Sequence, residues 1–157
     1  MQDLLPPMTE QNAGFEPTQV RQLTVFMDNR VGQLQQLVRI YEQAGGRIVS
    51  LIVQNAADIA LIRLICSDTP LAQREFAQAG YTSSCHALLV VEIDAKAESP
   101  VTALCAALLA AEINIHYAYP LLLPPRGPAL VLYVDDPILA SQVLIRKNYR
   151  LIAESEL

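Results

Sequence analysis

The chain contains two copies of one pattern. "LTVFMD" (Leu23–Asp28) is followed by Leu34, Leu37, Val38 and Tyr41, the i, i+3, i+4, i+7 spacing of a one-sided helix. About 67 residues later, "LLVVEID" is followed by Val101, Leu104, Cys105 and Leu108 at the same spacing. Each helix leads into two apolar extended runs, "RIVSLIVQN" and "DIALIRLIC" in the first copy, "NIHYAYPLLL" and "PALVLYVDD" in the second. A second helix comes next. In "DTPLAQREFAQAG" it has Asp68 or Thr69 as cap, Pro70 in the first turn and Gly80 as stop, and its counterpart is "PILASQVLIRKNY". "YTSSCHALLVVEI" and "RLIAESEL" end the two copies as extended segments. The predicted order is β-α-β-β-α-β, twice.

Such a unit closes most simply as a four-stranded antiparallel sheet with both helices on one face, the ferredoxin-like arrangement. The expected fold class is therefore α+β, with two βαββαβ units at 20–86 and 87–157. Their boundary near His86–Ala87 lies in an extended run without a flexible linker, which predicts rigid coupling. Residues 1–19 carry Pro6, Pro7, Gly14 and Pro17, show no period, and read as a tail. In this topology the second strand is an open edge. "RIVSLIVQ" and "NIHYAYPL" are apolar on both faces, and "SLIVQ" has no charged or proline guard. Pairing those edges within one chain would give a continuous eight-stranded sheet. "LLLPPRGP" (121–128) reads as a long turn between the second copy's middle strands.

Composition removes several function classes. The net charge is −5 with no basic run, against the clustered cations that nucleic acid requires. No apolar stretch reaches the roughly 18–20 residues of a membrane-spanning helix, and the first residues do not resemble a signal peptide. Three cysteines, Cys66, Cys85 and Cys105, sit at irregular spacing in apolar segments as small hydrophobes, which fits a reducing cytoplasm. Cys85 and His86 are strand neighbours facing opposite ways, so they form no nucleophile–base pair. Zinc-ligand spacing and phosphate-binding glycine loops are absent. The expectation is a chain with no catalytic residues, no metal and no cofactor. Its apolar content of 52% predicts further burial by another subunit, as in a homodimer.

The motifs "MDNRVGQL", "EQAGGRI", "ADIALIRLICSD" and "QAGYT", with "AAEINIHYAY" and "ALVLYVDDP" in the second copy, resemble ACT domains. The chain looks most like the small stand-alone tandem ACT proteins. That resemblance implies a regulator binding a free amino acid between two units. The ligand would contact the loop after the first strand of one unit, here Asp28, Asn29, Arg30, Val31 and Gly32. On the neighbour it would meet the second strand, at Arg47 in the first unit and Asn114 in the second; His116 or Tyr117 follows on that strand. Another implied role is docking onto an enzyme of amino-acid biosynthesis.

The chemistry of an amino acid agrees with such a loop. Free N–H groups at a helix N-terminus suit its carboxylate. Asp28 or the Asn114 amide oxygen suits its ammonium, and Asn29 can bond either group. The same residues also have a plain structural use: Asp28 or Asn29 could cap a helix starting near Arg30 or Val31, and Gly32 could allow close packing. The second copy puts Ala95-Lys96-Ala97-Glu98-Ser99 in this place, without amide or glycine, which predicts one good site and one degenerate one.

Overall fold

A computed structural model describes residues 18–157. The predicted tail lies outside the described residues except for Thr18 and Gln19, and the first strand already begins at Gln19. The elements are β1 (Gln19–Asp28), α1 (Gln33–Gln43), β2 (Ile48–Ala56), β3 (Ile59–Cys66), α2 (Thr69–Gln78), β4 (Thr82–Glu92), α3 (Pro100–Ala110), β5 (Ile115–Leu123), β6 (Gly127–Val134) and α4 (Pro137–Arg146). A single 3-10 turn, Glu154–Glu156, follows. Asp68 caps α2 by accepting from the Leu71 N–H at 3.0 Å, and Asp136 does the same for α4 through Leu139 at 2.9 Å. Both caps precede a proline in the first turn.

The strands form one antiparallel six-stranded sheet in the order β2-β3-β1-β4-β6-β5. This corrects the expected eight strands, because two strands were counted that the chain does not make. β4 is a single strand serving both units: Thr82 to Leu89 pair with β1, and Leu89 to Glu92 pair with β6. The final segment "RLIAESEL" adds only a bridge from Leu151 to Val91, flanked by Glu92 N–H to Arg150 O (2.9 Å) and Ile152 N–H to Val90 O (2.8 Å). β2 and β5 are the two edges and do not pair with each other. Each carries a register shift near its start, at Ile48/Ser50 and Ile115/Tyr117, which disrupts an edge ladder. The predicted long turn at 121–128 is also shorter than expected. Leu121, Leu122 and Leu123 lie in β5, and a cis Pro124–Pro125 bond makes the turn.

All four helices cover one face. Leu23 faces Cys85 across the β1–β4 ladder, and residues two apart on β4 share that side through Leu89 and Val91. Leu23, Val25, Ile62 and Leu64 pack under Leu37, Tyr41 and Phe76 in the first unit. Leu89, Val91, Leu132 and Val134 pack under Leu104, Leu108 and Leu144 in the second. The helix-free face makes a third core. There Val20 and Ile65 of the first unit meet Leu88, Val90, Tyr119, Leu121 and Val131, with Ile52 and Tyr117 packed against them. β1 and β5 are separated by two strands, yet Gln22 bonds to Tyr117 and Tyr119. The sheet therefore curls so that its helix-free face closes on itself. Of the cysteines, Cys66 is buried, and burial pushes its thiol up to about 12; Cys85 and Cys105 are exposed, contrary to their reading as packed hydrophobes.

The two units close their first helices by different packing. Tyr41 is fully buried, and its ring occupies the space where a Cβ on Gly46 would lie, 2.1 Å from its nearest atom. Its hydroxyl accepts from Asp68 N–H at 3.0 Å. In the second unit the smaller Leu108 replaces Tyr41, and the glycine position carries the buried Ile113. Gly46→Ala is therefore expected to destabilise the protein by about 1–3 kcal/mol, the usual range for an overpacked core. In chemical denaturation, the same change made in a Tyr41→Leu background should cost clearly less.

Candidate functional site

The loop after β1 is shaped by Gly32. It is the N-cap of α1 with φ +86° and makes no side-chain cap bond. A left-handed residue here suits glycine. The helix begins at Gln33, later than the Arg30 or Val31 expected, and neither Asp28 nor Asn29 caps it. Asn29 instead uses its backbone N–H to bond Asp58 O at 3.1 Å, tying the loop to the β2–β3 turn. Arg30 N–H bonds Asp28 O at 2.9 Å, and the Arg30 guanidinium lies 3.4 Å from the Asp28 carboxylate, both largely exposed. Val31 projects fully into solvent. Asp28, Asn29, Arg30, Ala57 and Asp58 line a hollow of about 360 Å³. Among the described residues the Asn29 side chain makes no hydrogen bond.

Asn114 immediately precedes β5. Its N–H donates to Asp135 Oδ1 at 3.2 Å, and its carbonyl accepts from Asp135 N–H at 3.2 Å. Arg47 occupies the equivalent place before β2, bonded to Ser67 Oγ at 3.0 Å. His116 is exposed, with its ring 5.2 Å from that of Tyr133. Tyr117 turns to the helix-free face, where its hydroxyl accepts from Gln22 Nε2 at 2.6 Å. Neither Asn114 nor His116 lines the hollow beside Asn29, and β6 and β4 lie between β5 and β1. The loop and the second unit's edge strand do not form one site within a chain.

Structural register changes the comparison of the two loops. Leu23, Val25 and Met27 correspond to Leu89, Val91 and Ile93, so Asp28 corresponds to Asp94 rather than to Ala95. The second loop runs Asp94-Ala95-Lys96-Ala97-Glu98 to the N-cap Ser99, one residue longer than the first. The acid-x-cation pattern persists, with Asp94 Oδ1 accepting from Lys96 N–H at 2.9 Å.

Beside this second loop lies a larger cavity, about 630 Å³, that sequence reasoning missed. Its charged lining is Glu92, Asp94, Lys96, Arg126, Lys147 and Arg150. Glu156 organises one wall. Its Oε2 accepts from Ala153 N–H at 2.7 Å, while Oε1 accepts from Arg126 at 2.8 Å and Arg150 at 2.9 Å. Arg150 also reaches Glu92 at 3.3 Å. A signal was available in the sequence: Lys96 and Lys147 are the chain's only lysines. No group of His, Cys, Asp and Glu among the described residues could hold a metal ion. No helix of the described residues is long and apolar enough to cross a membrane.

Residues 18–157 match the ACT domain pair family. The chain belongs to that family. The ACT pair is similar in fold to protein BT0572 of Bacteroides thetaiotaomicron, with a TM-score of 0.82 at 19% identity, covering 88% of this chain and 95% of that one. It is also similar to the ligand-free regulatory subunit of aspartate kinase from Thermus thermophilus, with a TM-score of 0.56 at 11% identity, covering 81% and 91%. No curated protein matches the chain.

The Glu156 arrangement has a pH consequence. The Ala153 N–H bond and then Arg126 hold its carboxyl below the ordinary value of 4.5. A depressed folded-state value stabilises the fold above the unfolded value, and that stability is lost as pH falls through the folded value. Glu156→Gln should lower the melting temperature at pH 7. Calorimetry on both proteins should show the difference shrinking as pH is taken below 4.5.

Proposed function

We propose that this ACT pair is a non-catalytic regulator that binds a free amino acid at the Asp28–Gly32 loop and acts in the cytoplasm. The observation that carries this reading is the unused Asn29 side chain: it lines a hollow with Asp28, Arg30 and Asp58, while the helix it could have capped is capped by Gly32. Asn29 therefore keeps a donor and an acceptor for the two charged ends of a zwitterion. The fold shared with an aspartate kinase regulatory subunit supports a regulatory role. His116 lies on the edge strand β5 and Asn114 immediately precedes it, so a site of the resembled kind is completed when the edge of a second copy is brought beside the loop. That makes the working form a homodimer.

A second reading has its own observation. α1 presents Gln35, Gln36 and Arg39 to solvent, whereas α3, in the same place in the second unit, exposes Val101, Cys105 and Leu109. A helix apolar on all sides is ordinarily covered. This face suits docking onto an enzyme the protein regulates.

The two readings separate in one series of melts. The twenty amino acids are screened against the wild type, Asn29→Ala and Asn114→Ala. Binding at about 100 times the dissociation constant should add roughly 2.7 kcal/mol to stability. The gain should be lost in Asn29→Ala and reduced in Asn114→Ala. A protein that no amino acid stabilises, but that is recovered in a stable hetero-complex, is a docking subunit instead.

A further inference from the structure

We propose that the cavity beside the second loop is a separate site for a small organic dianion, with two acidic groups on a short carbon skeleton. The proposal is independent of the amino-acid reading of the first loop. The chain has a net charge of −5, yet both of its lysines line this one cavity, together with Arg126 and Arg150. Against Glu92 and Asp94 the lining carries an excess of two positive charges, of which Glu156, paired to Arg126 and Arg150 behind the wall, offsets one. The corresponding hollow in the first unit has the opposite sign, with Asp28 and Asp58 against Arg30. Duplicated positions on one scaffold have thus diverged in charge.

The four cations are held differently. Arg126 and Arg150 are fixed by Glu156, and Arg150 also by Glu92. Lys96, on the loop after β4, and Lys147, at the end of α4, make no ion pair among the described residues. Both lysines line the same cavity, and with neither held in an ion pair both ammonium groups are available to an anion bound there. A lysine ammonium is a mobile point charge that adapts to carboxylate or phosphate oxygens. The walls between these charges are apolar, formed by Ile93, Pro100, Ala103 and Pro128, with half-buried Tyr149. A volume of about 630 Å³ falls within the range of small-molecule sites. Charge excess and apolar walls together favour an organic dianion over inorganic phosphate or a monocarboxylate. Unlike a site formed between ACT units, this cavity lies within one.

The test uses the full chain at constant ionic strength, titrated calorimetrically with succinate, glycerol phosphate, inorganic phosphate and acetate. Succinate and glycerol phosphate lack an amino group, so they report on this cavity separately from any amino-acid site. One or both should bind at least tenfold more tightly than acetate and inorganic phosphate. Succinate alone would identify dicarboxylates as the class; glycerol phosphate alone would identify phosphate esters. The Lys96→Ala/Lys147→Ala double variant should lose at least tenfold in affinity with its unliganded melting temperature unchanged. Lys96→Arg/Lys147→Arg should retain binding, as should Asn29→Ala. Absence of binding by both organic dianions overturns the proposal. So does equal binding of acetate, or undiminished binding by the double alanine variant.

Discussion

Strand β4 is the constraint on which the structure depends. Its first part closes the sheet of one unit and its last part opens the sheet of the next, with only Leu89 facing both Gln19 and Leu132. A strand buried within a sheet cannot hinge at its middle without breaking ladders on both sides, so the two units share one backbone frame. The helices follow from the same fact. Side chains alternate along a strand, and the continuous alternation through β4 puts both helix layers on the same face. Two separate four-stranded sheets would have had a free choice of relative orientation.

The opposite face then has to be covered without helices, and the sheet covers it by curling. At its centre Gln22 is fully buried, where an unbonded amide would be costly. It donates to Tyr117 at 2.6 Å and accepts from the Tyr119 hydroxyl at 2.7 Å. The Arg63 guanidinium lies 4.3 Å from the Tyr117 ring centroid and also bonds Gln54. These contacts join β1 and β3 to β5 across the concave face. They give the curl a polar register that the apolar residues Val20, Ile65, Leu88 and Val131 of this face alone would not specify, since hydrophobic burial is non-directional. Burial pushes the Tyr119 hydroxyl well above its ordinary range, which keeps it a donor.

Much of this could be read from the sequence. Helical spacing in "LQQLVRIY" and "VTALCAAL", and the cap at Asp68, rest on interactions within a few residues, which sequence patterns record directly. The strand count failed because "YTSSCHALLVVEI" has the same local signature whether it is one strand with partners on both sides or two strands in succession. Ladder partners are long-range and leave no mark in the run itself. The terminal "RLIAESEL" reads as a strand by composition, but its glutamates are used to hold Arg21, Arg126 and Arg150, and only one bridge forms. At the candidate site, the loop residues were legible as a group while their local geometry was not. The insertion before Ser99 shifts the loop alignment by one, and it becomes visible only when core residues on the flanking strand are matched. The lysine pair was missed because Lys96 and Lys147 are far apart in the sequence and come to line one cavity only through the fold.

Comparison of the units separates what the scaffold needs from what it merely tolerates. Gly45, with φ +91°, terminates α1, while its counterpart Glu112 holds φ +57° at the end of α3, so the left-handed turn is required and the glycine is not. Gly46 is required only because Tyr41 fills its side-chain space; with Leu108 in that role, Ile113 contributes to the core. The same logic applies to the loops. Gly32 provides a left-handed N-cap in one unit, and a longer loop ending at Ser99 provides one with negative φ in the other. Since the fold accepts either solution, neither Asn29 nor Lys96 is dictated by the backbone around it. Neither side chain is spent on a fold-holding bond among the described residues. Side chains free of structural duty, placed beside open cavities of opposite charge, are where two copies of one unit can acquire different ligands without disturbing the shared strand.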